Sequence, residues 1–146
     1  MTQEKTTEDI RTVTIERLYP HPPEKLWRAL TDPTLLAQWL LKNDFAPTPG
    51  HTFHFRSEPA PYWDGIITCK VLTIDPPHQI AYTWSALGLE STVHFTLTPN
   101  ESGTTLLMQH SGFTPDQDQA YKGATYGWQR FLTNLETTLN EGDGAA

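Results

Sequence analysis

A chain of 146 residues has the length of one domain and can bury about two thirds of its unfolded surface in one core. Its seventeen acidic residues outnumber ten lysines and arginines, giving a net charge of −7. With the basic residues scattered from Lys5 to Arg130, nucleic acid and anionic membrane surfaces are excluded as partners.

A single cysteine, Cys69, rules out an internal disulfide and a cysteine-built zinc site, and its apolar surroundings predict a buried thiol. There is neither an apolar leader nor a stretch of transmembrane length, which predicts a soluble, cytoplasmic protein without stable membrane association. Residues 1–9 and 141–146 read as disordered tails, leaving a single domain over 10–140.

Arg11 to Tyr19 alternates apolar Val13, Ile15 and Leu18 with polar Thr12, Thr14 and Glu16, as a half-buried strand does. His21-Pro22-Pro23 ends it. Glu24 to Leu30 then reads as a short helix with Leu26, Trp27 and Leu30 inward, Pro23 suiting its first turn. Thr31-Asp32-Pro33 breaks that helix and starts another, Asp32 acting as N-cap and Pro33 as first helical residue. Leu35, Leu36, Trp39 and Leu40 form its buried stripe.

After a turn at Pro47 to Gly50 the period becomes two. His51 to Arg56 carries Phe53 and Phe55 on one face. A β-rich run covers Tyr62 to Ile74, opening on Trp63-Asp64-Gly65. Beyond a Pro76-Pro77 turn, Ile80, Tyr82 and Trp84 share a face, and Val93, Phe95 and Leu97 share one in Leu89 to Thr98. Asn100 to Gly103 makes a hairpin turn, and Thr104 to His110 returns with Leu106, Met108 and His110 aligned. A sharp turn is predicted at Ser111-Gly112, with Thr114 capping a helix that begins at Pro115. Along this helix Tyr121, Ala124, Thr125, Trp128, Leu132, Leu135 and Leu139 recur at steps of three and four.

One strand, two short helices, five further strands and a long helix make an α+β fold. Short turns predict an antiparallel meander of about six strands, curved around the C-terminal helix in a helix-grip arrangement.

The chain resembles the SRPBCC, or START-like, superfamily with the birch-pollen-allergen fold, and within it the Aha-type branch named for activators of the heat-shock protein 90 ATPase. The matching segments begin with Val13 to Tyr19, Pro23-Glu24-Lys25-Leu26-Trp27-Arg28-Ala29-Leu30-Thr31-Asp32-Pro33 and Leu36-Ala37-Gln38-Trp39-Leu40. They continue through Trp63-Asp64-Gly65, Pro76 to Trp84, Ser91 to Leu97 and Gly103 to Leu106. His110-Ser111-Gly112-Phe113 and Gly127-Trp128, followed by Leu132 and Leu135, complete the series, which covers Arg11 to Leu139. The resemblance implies a cavity between the long helix and the sheet, suited to small apolar or amphipathic ligands. It supplies no shared catalytic motif. Activators that act on the chaperone carry an additional N-terminal domain, whereas only about nine residues precede the first strand here.

Six histidines raise the question of a metal. His51 and His54 fall on opposite faces of a strand, His21 and His78 adjoin prolines in loops, and His94 points outward between inward Val93 and Phe95. None has helical ligand spacing, so neither metal nor cofactor is expected. His110 shares parity with Leu106 and Met108 and faces the cavity. There it could act as general acid or base, orient a ligand, or satisfy a backbone carbonyl. Ser111 is no nucleophile for it: adjacent strand residues point apart, and no G-x-S-x-G elbow is present. Asp64, between Trp63 and Gly65, makes a turn or reaches the cavity mouth. Paired carboxylates and phosphate-cradling glycine loops are missing.

The expected ligand-binding residues are Phe53, Phe55, Trp63, Tyr82, Trp84, Phe95, Met108, His110, Trp128 and Leu132, with Tyr82, His110 and the Trp128 indole as polar handles. Three functions fit. One is binding of a small hydrophobic, aromatic or lipid-like molecule; another is an enzyme of cyclase, aromatase or hydrolase type in the same cavity; the third is co-chaperone contact with heat-shock protein 90.

Overall fold

A computed structural model describes residues 11–61 and 63–145, with side chains through Glu141; Tyr62 and the segments 1–10 and 146 lie outside the described residues. Strand β1 (Arg11–Tyr19) leads into α1 (Pro23–Thr31) and α2 (Pro33–Trp39). Then follow β2 (Lys42–Asn43), β3 (Thr52–Arg56), β4 (Ile66–Asp75), β5 (Gln79–Ala86), β6 (Leu89–Asn100) and β7 (Gly103–Phe113). A 3-10 turn at Pro115–Gln117 opens onto α3 (Asp118–Ala145), which runs on into the segment read from sequence as a tail. The sheet has seven antiparallel strands in the order β1-β7-β6-β5-β4-β3-β2, the seventh being the two-residue β2 that no alternation in the sequence marks. No helix among the described residues is long and apolar enough to cross a membrane.

Local chemistry sets the boundaries. Asp32 Oδ1 accepts from the Thr34 and Leu35 backbone N–H groups at 2.9 and 3.4 Å, so α2 starts where Pro33 can follow. At the start of the 3-10 turn, Gln117 Oε1 accepts from the Thr114 N–H at 2.9 Å, closing a capping box.

The period-two residues form one buried inner face: Phe53 and Phe55 on β3, Tyr82 and Trp84 on β5, Val93 and Phe95 on β6, Leu106 and Met108 on β7. Helix α3 lays Trp128, Leu132, Leu135 and Leu139 against it. The Tyr19 hydroxyl donates to the Leu132 carbonyl at 2.8 Å, and the Trp39 indole donates to the Ala29 carbonyl at 2.9 Å, fixing α3 and α2 to the rest. Helices α1 and α2 pack against α3, α1 also touching β6 and β7 and α2 touching β2.

Three local expectations change. Leu18 is exposed, and Tyr19 takes the buried position at the end of β1. His21, expected only as a loop histidine beside prolines, is buried at 8% exposure with its Nε2 3.1 Å from Asn140 Oδ1. The chain does not turn sharply at Ser111-Gly112, because β7 continues to Phe113. Gly112 sits at a bulge opposite Arg11 and Thr12 with φ of 119°, where a Cβ would lie 2.9 Å from the Glu90 carbonyl oxygen. Glycine is required there by the approach of β6 as well as by the backbone.

Candidate functional site

Helix α3 changes character along its length. Its second half presents leucines to the sheet in line with Trp128, whereas beside that stripe in the first half Ala120, Gly123, Ala124 and Gly127 put almost no side chain on the surface that borders the chamber. A Cβ built on Gly123 meets nothing within 4 Å, and one on Gly127 meets only Phe131 Cε2 at 4.0 Å. Tyr121 joins this half to the sheet: its ring stands edge-on to Phe113 at 5.6 Å and carries the Arg11 guanidinium at 4.4 Å. Between helix and sheet lies a chamber of about 420 Å³. Trp63, Trp84, Trp128 and Phe131 give it aromatic walls, with Ile67 and Leu89 among its aliphatic ones.

The β5–β6 turn forms part of the mouth. Leu87 and Gly88 have φ of 53° and 81°, the paired left-handed residues of a tight hairpin turn. Leucine rarely occupies that region. Here its exposed side chain borders both the chamber and an outer groove shared with Trp63 and Asp64.

His110 is the ionisable group on the chamber wall among the described residues. Its Nδ1 accepts from the Trp128 indole N–H at 3.0 Å. The Ser91 hydroxyl donates to the Trp84 carbonyl at 2.8 Å, so its oxygen accepts from His110 Nε2–H, also at 2.8 Å. These donors run in one direction, from α3 through β7 and β6 to β5, and select the neutral Nε2–H tautomer. Burial pushes the ring down to about 4. With one nitrogen holding an indole and the other a serine, His110 has no lone pair free to take a proton from a ligand.

The structure separates the expected binding residues into two groups. Trp63, Trp84, His110 and Trp128 line the chamber. Phe53, Phe55, Tyr82, Phe95, Met108 and Leu132 do not line it and are at most 1% exposed within the core. Phe53 stands edge-on to Tyr82 at 5.2 Å and to Phe45 at 4.9 Å, while Phe55 lies 5.4 Å from Trp84. Burial raises the Tyr82 hydroxyl well above its ordinary range and likewise pushes up the Cys69 thiol. Phe53→Ala should therefore cost about 3–5 kcal/mol of stability as a core truncation. Denaturant unfolding checks the loss, and at a temperature where the variant is folded its apolar-ligand affinity should match the parent's.

Sequence reasoning missed Ile67, Ala86, Leu87, Leu89, Gln117 and Phe131, together with the four small helix residues. The small residues did leave a signal. Positions 120, 123, 124 and 127 share one helical face, and glycine is costly inside a helix unless space or approach demands it.

The remaining histidines form no centre. His94 Nε2 lies 3.1 Å from Gln79 Oε1, and His54 pairs loosely with Asp44 at 3.7 Å. Among the described residues no group of three or more His, Cys, Asp or Glu side chains could hold a metal ion. Asp64 makes the expected turn, its Oδ1 accepting from the Ile66 N–H at 3.1 Å, beside Gly65 with φ of 82°.

Comparison with known proteins agrees with this architecture. Protein MLL2253 from Mesorhizobium loti is 47% identical, with a TM-score of 0.85 over 90% of this chain and 98% of that one. BH1534 from Bacillus halodurans is 26% identical, with a TM-score of 0.76 over 88% of this chain and 96% of that one. DynU16, a protein of the dynemicin biosynthetic locus, is 27% identical, with a TM-score of 0.77 over 90% of this chain and 48% of that one. No curated protein matches. The family model described as "Activator of Hsp90 ATPase homolog 1-like protein" matches residues 20–140. With that match across most of its length, and the helix-grip fold it shares with these structures, the chain belongs to the activator of Hsp90 ATPase homolog 1-like family of the START-like superfamily.

Proposed function

We propose that the protein binds a small hydrophobic, aromatic or lipid-like molecule in the chamber between α3 and the sheet. The observation that carries this reading is an apolar chamber of about 420 Å³, within the size range of small-molecule sites, whose one ionisable wall residue among those described is committed to neighbours on both ring nitrogens. That commitment favours binding over turnover, because an acid–base catalyst must reach the reacting atom. Native mass spectrometry of freshly purified protein, followed by titration with a neutral naphthalene probe, tests it. A retained compound or saturable one-to-one binding of the probe is expected. An empty protein that does not bind the probe at its solubility limit overturns the reading. If the protein instead converts a compound that it binds and His110→Ala abolishes conversion while sparing binding, the enzyme reading takes its place.

The family match brings contact with heat-shock protein 90 as a second reading. Stimulation of that chaperone's ATPase by the purified chain would establish it; no change at saturating concentration would remove it.

A further inference from the structure

We propose that the ligand is an aromatic compound whose polar end is neutral or cationic, never anionic, with that end lying in the outer groove beside Asp64. This rests on the reading of the chamber as a ligand site and adds the charge class of what enters it.

The outer groove supports an extended ligand. It is bounded by Pro59, Ala60, Pro61 and Asp64, and it shares Trp63 and Leu87 with the chamber, so an apolar body inside and a polar end outside would lie along one continuous surface. Among the described residues lining the chamber there is no lysine, arginine, aspartate or glutamate. A carboxylate, sulfonate or phosphate drawn inside would lose its water without gaining a cation. The Gln117 amide is a polar group on that wall; its oxygen accepts from the Thr114 N–H, and its NH2 is a neutral donor that brings no positive charge to an anion.

Two cations at the start of α3 are already paired. Arg11 lies over Tyr121 and pairs with Asp118 at 3.0 Å, and Lys122 pairs with the same carboxylate at 3.2 Å. The positive end of α3 is likewise opposed by Asp116 and Asp118 in its opening turns. In the outer groove the charged residue among those described is Asp64, which is exposed. An ammonium there meets a carboxylate, a hydroxyl meets an acceptor, and an anion meets repulsion in a protein already at −7.

Three compounds with one ring system separate these cases: 2-(1-naphthyl)ethylamine, 2-(1-naphthyl)ethanol and 1-naphthylacetate, titrated calorimetrically at pH 7 and low salt. The amine should bind about two- to threefold tighter than the alcohol, the size of effect an exposed carboxylate supplies. The acetate should bind about two- to threefold weaker than the alcohol, because its charge meets the exposed Asp64 carboxylate in the groove and would find no cation if drawn inside. Asp64→Asn should erase the advantage of the amine, so that amine and alcohol bind that variant equally. Acetate binding as tightly as the alcohol, or an amine preference that survives Asp64→Asn, overturns the charge assignment while the chamber reading stands. If none of the three binds, the chamber reading itself falls and this inference falls with it.

Discussion

Leucine at both Gly123 and Gly127 is expected to abolish binding of a naphthalene-sized ligand while leaving the melting temperature unchanged or higher. The two glycines border the chamber, and the space beyond each Cα is open apart from Phe131 at 4.0 Å from the Gly127 Cβ position. Two isobutyl groups would occupy the volume that the ligand needs. Neither glycine has a left-handed backbone, so substitution brings no conformational strain. Removing glycine from a helix interior gains roughly 0.5–1 kcal/mol at each position. Opposite effects on stability and affinity are what distinguish a filled pocket from a damaged fold. Calorimetric titration beside thermal unfolding reads both quantities. Unchanged affinity in a folded variant would place the ligand elsewhere.

Acid should weaken the fold, and His110 should carry the loss. The buried ring binds a proton only near pH 4, whereas in the unfolded chain it does so near 6.5. Between these values the unfolded state holds the extra proton, so stability is complete above about pH 6.5 and falls as pH drops toward 4. The two values imply a loss of about 3 kcal/mol over that window. Protonation would place a new N–H on Nδ1 against the Trp128 indole N–H, turning a hydrogen bond into a donor–donor contact. Glutamine retains a donor and an acceptor but does not titrate. His110→Gln is therefore expected to flatten the decline by about 2 kcal/mol between pH 7 and 4.5, measured by urea unfolding at pH 7, 5.5 and 4.5. Equal pH slopes in the two proteins would show that His110 does not carry the effect.

The same residue shows how far sequence parity reaches. Its alignment with Leu106 and Met108 placed it on the inner face, where it is 1% exposed. Parity could not reveal its partners. Ser91 lies on β6 and Trp128 on α3, and the hydrogen bonds to them depend on strand register and helix rotation, which chain spacing does not encode. General base, ligand-orienting group and satisfied core residue were therefore indistinguishable until the fold brought those partners within 3 Å.

Phe53, Phe55 and Tyr82 teach the same point from the other side. Their alternation correctly identified the face they occupy, and their size made them natural pocket walls. In the fold they close on one another and on Phe45. Trp63 and Trp84, lying toward the first half of α3, keep an open side to the chamber. Local alternation tells which way a side chain points, but not how far the opposing layer stands from it.

By itself, then, the sequence determined the helix-grip fold: Asp32-Pro33 caps a helix, period-two aromatics line a meander, and Trp128 to Leu139 bind a long helix to it. These features arise from short-range backbone and side-chain chemistry. Only the tertiary structure decided where the inner face is solid and where it is hollow. That depends on Ala120, Gly123, Ala124 and Gly127 sharing a chamber with Ile67, Trp84 and Leu89, more than thirty residues away, and on where Tyr121 meets Phe113 at the end of β7. A cavity is a distance between layers, and that distance is fixed only when both layers are in place.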